Sequence, residues 1–499
     1  MNPLLLVPSS LFFIFIAKWL LVTVIIGRKN LPPSPPKLPV LGNLHQLSSL
    51  PHRSLQSLAQ RHGPIMLLYF GSLRTIVVSS ADAAREVIKN HDIILSDRPG
   101  TSISRKLMYD YKDIAMAPYG VYWRQMKSIC MLQLLSAKRV RSFRSIREEE
   151  VDLLVNKIEQ SCSNSLPINL SELFVSLMKH VVCRAALGSR YSDGEGDGSR
   201  FNKLFKEFCA LLGVFDTADF IPSLAWIKHF TGLNARVDKT FKEFDKFLDE
   251  IVDCHLARDW IAIKEDQKDF VDVLLTIQKS PDEASFGRDS IKALILDMFL
   301  AGIDTTSTTL EWTMTELLRH PKAMNRLQEE IRRVRGSRRS VTEDDLDKML
   351  YLKAVIKETL RLHPPLPLLI PRQPTESVKV QGYEIPAKTR VIINAWAVGR
   401  DPKMWEEADE FRPERFLESS IDFKGHDFQL IPFGSGRRGC PGITFATAAL
   451  EIVLASMLDK FDWEIPDGSK LEDLEVAEAL DLTLHPKLPL IAIATCHSF

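Results

Sequence analysis

The residues with the clearest chemistry sit in one stretch, Phe433-Gly434-Ser435-Gly436-Arg437-Arg438-Gly439-Cys440-Pro441-Gly442. A free cysteine is usually just a buried apolar side chain, but a loop of glycine and arginine is a poor place to bury one. Pro441 suits the first turn of a helix, because the N–H it lacks would go unpaired there. Cys440 is therefore expected at a helix N-terminus, where positive partial charge and free N–H groups favour thiolate over thiol. The glycines let backbone approach a flat ligand closely, an arginine pairs with carboxylates, and N–H groups near the sulfur tune its donation to a metal. Thiolate ligation of a metal centre is the expected chemistry. Residues 434–439 also spell a literal G-x-G-x-x-G, but the roughly sixty residues beyond lack the second strand and acidic terminus of a dinucleotide-binding unit.

A second cluster, Ala301-Gly302-Ile303-Asp304-Thr305-Thr306-Ser307-Thr308-Thr309, places an acid beside alcohols. Asp304 and Thr305 form a candidate proton relay; the competing reading is a polar stripe between packed helices. A third pattern, Glu358 and Arg361, puts opposite charges three apart on one helix face.

These groups need elements to carry them. The sequence predicts a helix over 290–320, capped by Asp289 or Ser290 and stopped by Pro321, which at 1.5 Å per residue runs roughly 45 Å. Its threonine-rich middle has poor helix propensity, and hydroxyls there compete for backbone carbonyls. Further helices are expected over 346–362 and 444–460. Strands are few, and three hairpins are predicted: 65–70 with 75–78, 378–380 with 390–395, and 481–484 with 490–494 through His485-Pro486-Lys487. The fold class is mainly α with small β-sheets, because no alternation of strands with helices runs along the chain.

Lys+Arg and Asp+Glu both number 64, so no global field favours nucleic acid. Seven scattered cysteines with no C-x-x-C pair argue against a disulfide framework or zinc site and for a reducing compartment. Residues 4–27 are apolar except for Lys18 and are followed by Arg28 and Lys29, the pattern of an uncleaved anchor with the remainder cytosolic. Prolines 32, 33, 35, 36 and 39 then make 31–43 a stiff spacer, either a plain linker or a strut.

Phe433, Gly436, Arg438, Cys440 and Gly442 match F-x-x-G-x-R-x-C-x-G, and in this the chain resembles the cytochrome P-450 superfamily. The resemblance runs end to end. It implies a single large helical haem-thiolate domain (44–499) behind a transmembrane anchor (1–30) and a proline-rich hinge (31–43), with haem b as cofactor. By resemblance Cys440 is the axial ligand of the haem iron and Arg438 a propionate partner. The A-G-x-D/E-T-T/S motif is met without departure by Ala301 to Thr306, which implies oxygen activation through Asp304 and Thr305. Glu358, Arg361 and Arg415 resemble the family's E-x-x-R and P-E-R-F elements, a buried structural network. Trp123 to Lys127 resembles W-x-x-x-R with lysine in the arginine's place, so Trp123, Lys127 and neighbouring Arg124 are propionate candidates, as is Arg372.

Details such as PPSPPKLPVLGNLHQL look like the plant microsomal group, similar to hydroxylases of terpenoids, furanocoumarin precursors and alkaloids. The resemblance implies a small apolar substrate, O2, and electrons from NADPH through a flavoprotein reductase. It also implies a single-pass protein of the endoplasmic reticulum membrane, with no nucleic-acid partner. Ala301, Leu369 and Ile370 are the candidate substrate contacts, within a pocket expected from 99–118, 205–230, 366–370 and 483–488. Arg124, Lys127, Lys138, Arg139 and Arg437 are either a reductase-docking face or plain solvated surface. A haem-thiolate isomerase or dehydratase that needs no reductase is the alternative activity.

Overall fold

Two helices that meet end to end form the axis of the molecule: α4 (Arg288–Gly302) and α5 (Asp304–Arg319). The computed structural model describes residues 30–163, 166–190, 197–214, 216–258, 263–279, 286–466 and 477–497. Around the axis pack α1 (Val121–Ile129), α2 (Arg144–Cys162), α3 (Leu170–Leu187), α6 (Leu350–Leu362) and α7 (Ile443–Lys460). α5 is wrapped on nearly every side, touching α3, α6 and α7, so its hydroxyl-rich face is buried along with its apolar one. The architecture is mainly helical with small sheets, as the sequence predicts.

The predicted helix over 290–320 is interrupted at Ile303. The cause is local. Thr305 Oγ1 donates to the Ala301 carbonyl, which the backbone ladder would otherwise use, and the Ile303 carbonyl is shared between the Ser307 N–H (3.1 Å) and the Ser307 hydroxyl. At the break α4 approaches α3 so closely that a Cβ on Gly302 would lie 3.0 Å from Val182 Cγ2. Farther along, the fully buried Trp312 donates its Nε1–H to the Leu484 carbonyl (2.8 Å) and stacks on His363, with ring centroids 4.0 Å apart. His363 Nε2 in turn meets a Glu316 carboxylate oxygen at 2.8 Å.

The strands depart from expectation in their partners. β1 (Ile65–Phe70) and β2 (Leu73–Val78) form the predicted hairpin, two residues longer at the turn. β3 is Ile168–Asn169. β4 (Val378–Val380) pairs not with 390–395 but with β5 (Tyr383–Ile385), because Gln381 and Gly382 both take positive φ, the two-residue turn that closes a hairpin at once. β6 (Arg390–Ile393) is thereby released to pair in parallel with β2. β7 is Phe461–Glu464. The last predicted hairpin is also re-paired: β8 (Glu478–Leu480) pairs with β9 (Leu484–Pro486), while β10 (Ile491–Cys496) bridges β3 and β7. His485 and Pro486 therefore lie in a strand rather than in the turn.

The predicted anchor over 4–27 lies outside the described residues, among which no helix is long and apolar enough to cross a membrane. The proline-rich stretch behind it is docked. Leu67 N–H donates to the Pro33 carbonyl (2.9 Å), and the Asn43 amide ties Pro36 (3.2 Å) to the backbone N–H of Tyr69 (2.9 Å).

Glu358, Arg361 and Arg415 come together as the sequence suggests. Arg361 forks onto both Glu358 oxygens (Nε–Oε2 2.7 Å, Nη2–Oε1 2.8 Å), and Arg415 Nε reaches Oε1 at 3.0 Å. The spare donors of Arg361 go to the carbonyls of Gly399, Ala408 and Glu410, which stitches α6 to the segment leading toward the cysteine loop. Removing one partner of a buried pair leaves an uncompensated charge. Glu358→Ala is therefore expected to lower stability by about 3–5 kcal/mol, read as a fall in the denaturation midpoint, with loss of bound cofactor following the loss of fold. A normal midpoint and normal cofactor content would contradict the assignment.

Candidate functional site

The cysteine loop is a tight backbone knot. Cys440 N–H donates to the Phe433 carbonyl, and Gly439 N–H to that of Gly436, both at 2.9 Å. Gly436 is obligatory: its φ is +69°, and a Cβ there would sit 2.9 Å from the Ile88 carbonyl oxygen. Gly442 N–H points at Cys440 Sγ from 3.3 Å. α7 starts at Ile443 rather than at Pro441, so the sulfur stands ahead of the helix instead of on its first turn. Burial pushes the Cys440 thiol up, with the Gly442 N–H and Lys127 working against it. The N–H beside the sulfur therefore acts in the expected direction, toward thiolate, against the cost of burial.

Cys440 lies on the wall of a cavity of about 240 Å³. Phe433, Gly439, Pro441 and Gly442 share that wall, and Trp123, Lys127, Arg372 and Arg438 contribute the cavity's polar end. Trp123 and Lys127, four residues apart on α1, face inward together; Lys127 Nζ donates to the Gly439 carbonyl at 2.6 Å. Arg124 is exposed and does not line the cavity, so its predicted cofactor contact is not met. Arg139, predicted for a docking face, is buried and spends its donors on Gln133, Lys268 and Glu265.

A residue with no sequence motif completes the polar end. Arg98 donates to the carbonyls of Ala115 (3.0 Å), Ile370 (2.5 Å) and Pro371 (2.8 Å). Arg438 donates to Ser96, Ile114 and Ala117, and Arg372 to Ser435 and Asp92. Burial, reinforced by Arg372 and Arg438, holds Arg98 well below the usual guanidinium range. Burial, then Arg372, brings Arg438 down to about 10. Three buried guanidinia that repel one another, next to a half-buried thiol on the cavity wall, fit one kind of ligand: a flat group with carboxylates at its edge and a cationic metal at its centre.

On the cavity's other elements, Ala301, Gly302, Thr305, Thr306 and Thr309 are exposed to the space, with Val182, Leu366, Leu369, Ile370 and Ile393. Ala301, Leu369 and Ile370 are thus where the sequence places candidate substrate contacts. Among the described residues, none of 205–230 or 483–488 is in the lining. Asp304 and Thr305, adjacent in sequence, face different surroundings. Thr305 reaches the cavity, whereas Asp304 Oδ2 accepts the Thr483 hydroxyl (2.7 Å) outside it, and Thr483 Oγ1 also meets Thr308 Oγ1 at 3.2 Å. Burial pushes the Asp304 carboxyl up, the Thr483 hydroxyl opposing.

A family model described as cytochrome P450 matches residues 32–492. Cytochrome P450 736A117 of Prunus mume is 54% identical over 100% of this chain and 96% of its own length. Norfluorocurarine oxidase of a Strychnos species is 48% identical over 98% of each. A zebra fish cytochrome P450 solved with progesterone superposes with a TM-score of 0.76, at 26% identity over 89% of this chain and 99% of that one.

The cation cluster is testable directly. A charge-assisted hydrogen bond is worth about 1.5–3 kcal/mol, so Arg438→Met is expected to speed transfer of bound haem to apomyoglobin by about tenfold or more. Arg124→Met, on the solvent face of the same region, is expected to leave that rate unchanged.

Proposed function

The chain belongs to the cytochrome P450 family and is an oxidoreductase of its monooxygenase class, and on that premise we propose that it hydroxylates a small apolar plant specialised metabolite of terpenoid, coumarin or alkaloid type. Electrons come from NADPH through a membrane-bound flavoprotein reductase, and O2 is the co-substrate. The observation that carries the reading is the single cavity that brings Cys440, the cations of its polar end and Thr305 to one space.

Cys440 would hold the iron of haem b, and that group would supply dioxygen binding and activation. The chain's own residues do the rest. Arg372, Arg438, Trp123 and Lys127 would hold the propionates, while Phe433, Gly436 and Gly442 shape the loop under the sulfur. The Gly442 N–H, 3.3 Å from Sγ, moderates the sulfur's donation. Burial raises the Asp304 carboxyl, so it keeps its proton to higher pH than an exposed aspartate does. The Thr305 hydroxyl, which donates to the Ala301 carbonyl, offers its oxygen to the cavity as an acceptor, and Asp304 would deliver protons to it on turning away from Thr483. Ala301, Leu369 and Ile370 form apolar walls that select an apolar substrate and keep water out.

Support for the substrate class comes from the plant relatives, one of them named norfluorocurarine oxidase. We read residues 1–30 as a single-pass anchor in the endoplasmic reticulum, 31–43 as a strut and 44–499 as the cytosolic catalytic domain. The apolar run followed by Arg28 and Lys29 supports the orientation, and the bonds pinning Pro33 and Asn43 support the strut.

Protein reconstituted with a plant NADPH-dependent reductase and offered a panel of terpenoids, coumarins and alkaloids is expected to form hydroxylated product only when NADPH and O2 are both present. Turnover without either would favour an isomerase or dehydratase. Thr305→Ala is expected to keep consuming NADPH while product per NADPH falls by up to about 10²-fold, the balance appearing as peroxide. Unchanged coupling would contradict the relay.

A further inference from the structure

Asp304, Thr308 and Trp312 follow one another at four-residue intervals on α5, so they share one face of it. All three bind the same two residues, Thr483 and Leu484, where the chain enters β9. Thr483 Oγ1 donates to Asp304 Oδ2 (2.7 Å), the hydroxyls of Thr483 and Thr308 meet at 3.2 Å, and Trp312 Nε1 donates to the Leu484 carbonyl (2.8 Å). The Leu484 N–H donates in turn to the Pro365 carbonyl (2.9 Å), and the Asp481 N–H to that of Thr483 (3.1 Å). Thr483 is buried, and its backbone is pinned on both sides. Thr305 and Thr309, one residue further round α5, line the cavity instead.

A hydroxyl has a single proton, and that fixes the order of donation. Thr483 spends its proton on Asp304, so its oxygen accepts from Thr308, and the chain Thr308 to Thr483 to Asp304 runs toward a carboxylate. The same three groups also suit the other state. A protonated Asp304 donates to the Thr483 oxygen, and Thr483 to Thr308, with every heavy atom in place. A hydroxyl serves both states, and an apolar side chain of the same shape serves neither.

We propose that Thr483 is the positioning residue of the relay acid: it holds the Asp304 side chain on the β9 side of α5, away from Thr305, and partners it with or without its proton. The proposal rests on the reading of Asp304 as the proton source for Thr305. Asp304 reaches Thr305 only by giving up this bond, so the Thr483 hydroxyl sets both the acid's proton affinity and its readiness to turn.

The electrostatic setting agrees. Burial pushes the Asp304 carboxyl up, and the Thr483 hydroxyl opposes this most. His485 also lowers it, and Asp481 raises it, both from the chain around Thr483. Glu311 on α5 and Cys209 on the helix Asp197–Gly213 face the acid as well, each pushed up by burial. Because Thr483 donates to the ionised form, loss of its hydroxyl leaves Asp304 holding its proton to still higher pH.

The test is an infrared difference titration of the haem-loaded enzyme, with no turnover involved. The C=O absorption of the protonated carboxyl, assigned by its absence from Asp304→Asn, gives the midpoint. Thr483→Val is expected to raise that midpoint by about one to two pH units, and Thr483→Ser to return it to the wild-type value. Coupling of NADPH to product, present while Asp304 is protonated and lost as pH climbs through its midpoint, is expected to move up by the same interval in Thr483→Val. A wild-type midpoint in Thr483→Val overturns the proposal. So does a Thr483→Ser midpoint displaced as far as that of Thr483→Val, since packing and not the hydroxyl would then be responsible. If Thr483→Val does not fold, Thr308→Val decides: loss of the donor to Thr483 is expected to raise the midpoint, and an unmoved midpoint overturns the chain. Failure of the parent reading looks different: Asp304→Asn would couple NADPH to product as the wild type does, while the infrared shift in Thr483→Val persists.

Discussion

Positive charge buried without enough negative charge is the constraint on which the rest of the molecule turns. Arg98, Arg372 and Arg438 are brought within reach of one another at a cavity wall, and burial depresses all three. Backbone carbonyls satisfy their hydrogen bonds but not their charge, apart from Asp92 on Arg372. A few ångströms along the same wall, Cys440 suffers the mirror-image problem, since burial makes its ionised form expensive. A ligand with carboxylates at one edge and a metal cation at its centre relieves both at once. Cofactor binding and folding of this region are in that sense one free-energy balance.

The constraint explains what the surrounding elements are for. A thiolate loop pinned by Gly436 and Gly439 needs rigid backing, and the Glu358–Arg361–Arg415 network supplies it by tying α6 to three separate carbonyls. The break at Ile303 exposes Ala301 and Thr305 to the cavity while Asp304 turns outward to Thr483. Beside the break, Thr308, Thr483 and Asp304 are linked side chain to side chain. Local helix stability is given up where the reaction needs polar groups, and dense packing of α5 against α3, α6 and α7 restores it.

Cys440, Gly436, Arg438, Glu358 and Thr305 were legible in the sequence because their roles depend on near neighbours: a positive φ, a three-residue helical spacing, a hydroxyl one turn from a carbonyl. Arg98 was not, because it acquires its role from Ile370 and Pro371, far along the chain. Strand pairing failed for a similar reason. The Gln381-Gly382 turn claims β4 for β5, and the partner of β6 is then chosen by tertiary structure. The misplacement of Arg124 was avoidable: Trp123 and Lys127 lie four apart on one face of α1, and their neighbour necessarily points elsewhere.

The account's central claim is that the buried sulfur at position 440 donates to a porphyrin iron. The optical spectrum of the reduced, carbon-monoxide-saturated protein reads that bond directly. A strongly red-shifted Soret band in the wild type, lost in Cys440→Ser, is the predicted result. A wild-type spectrum without the shift, or a serine variant that keeps it, would contradict the claim.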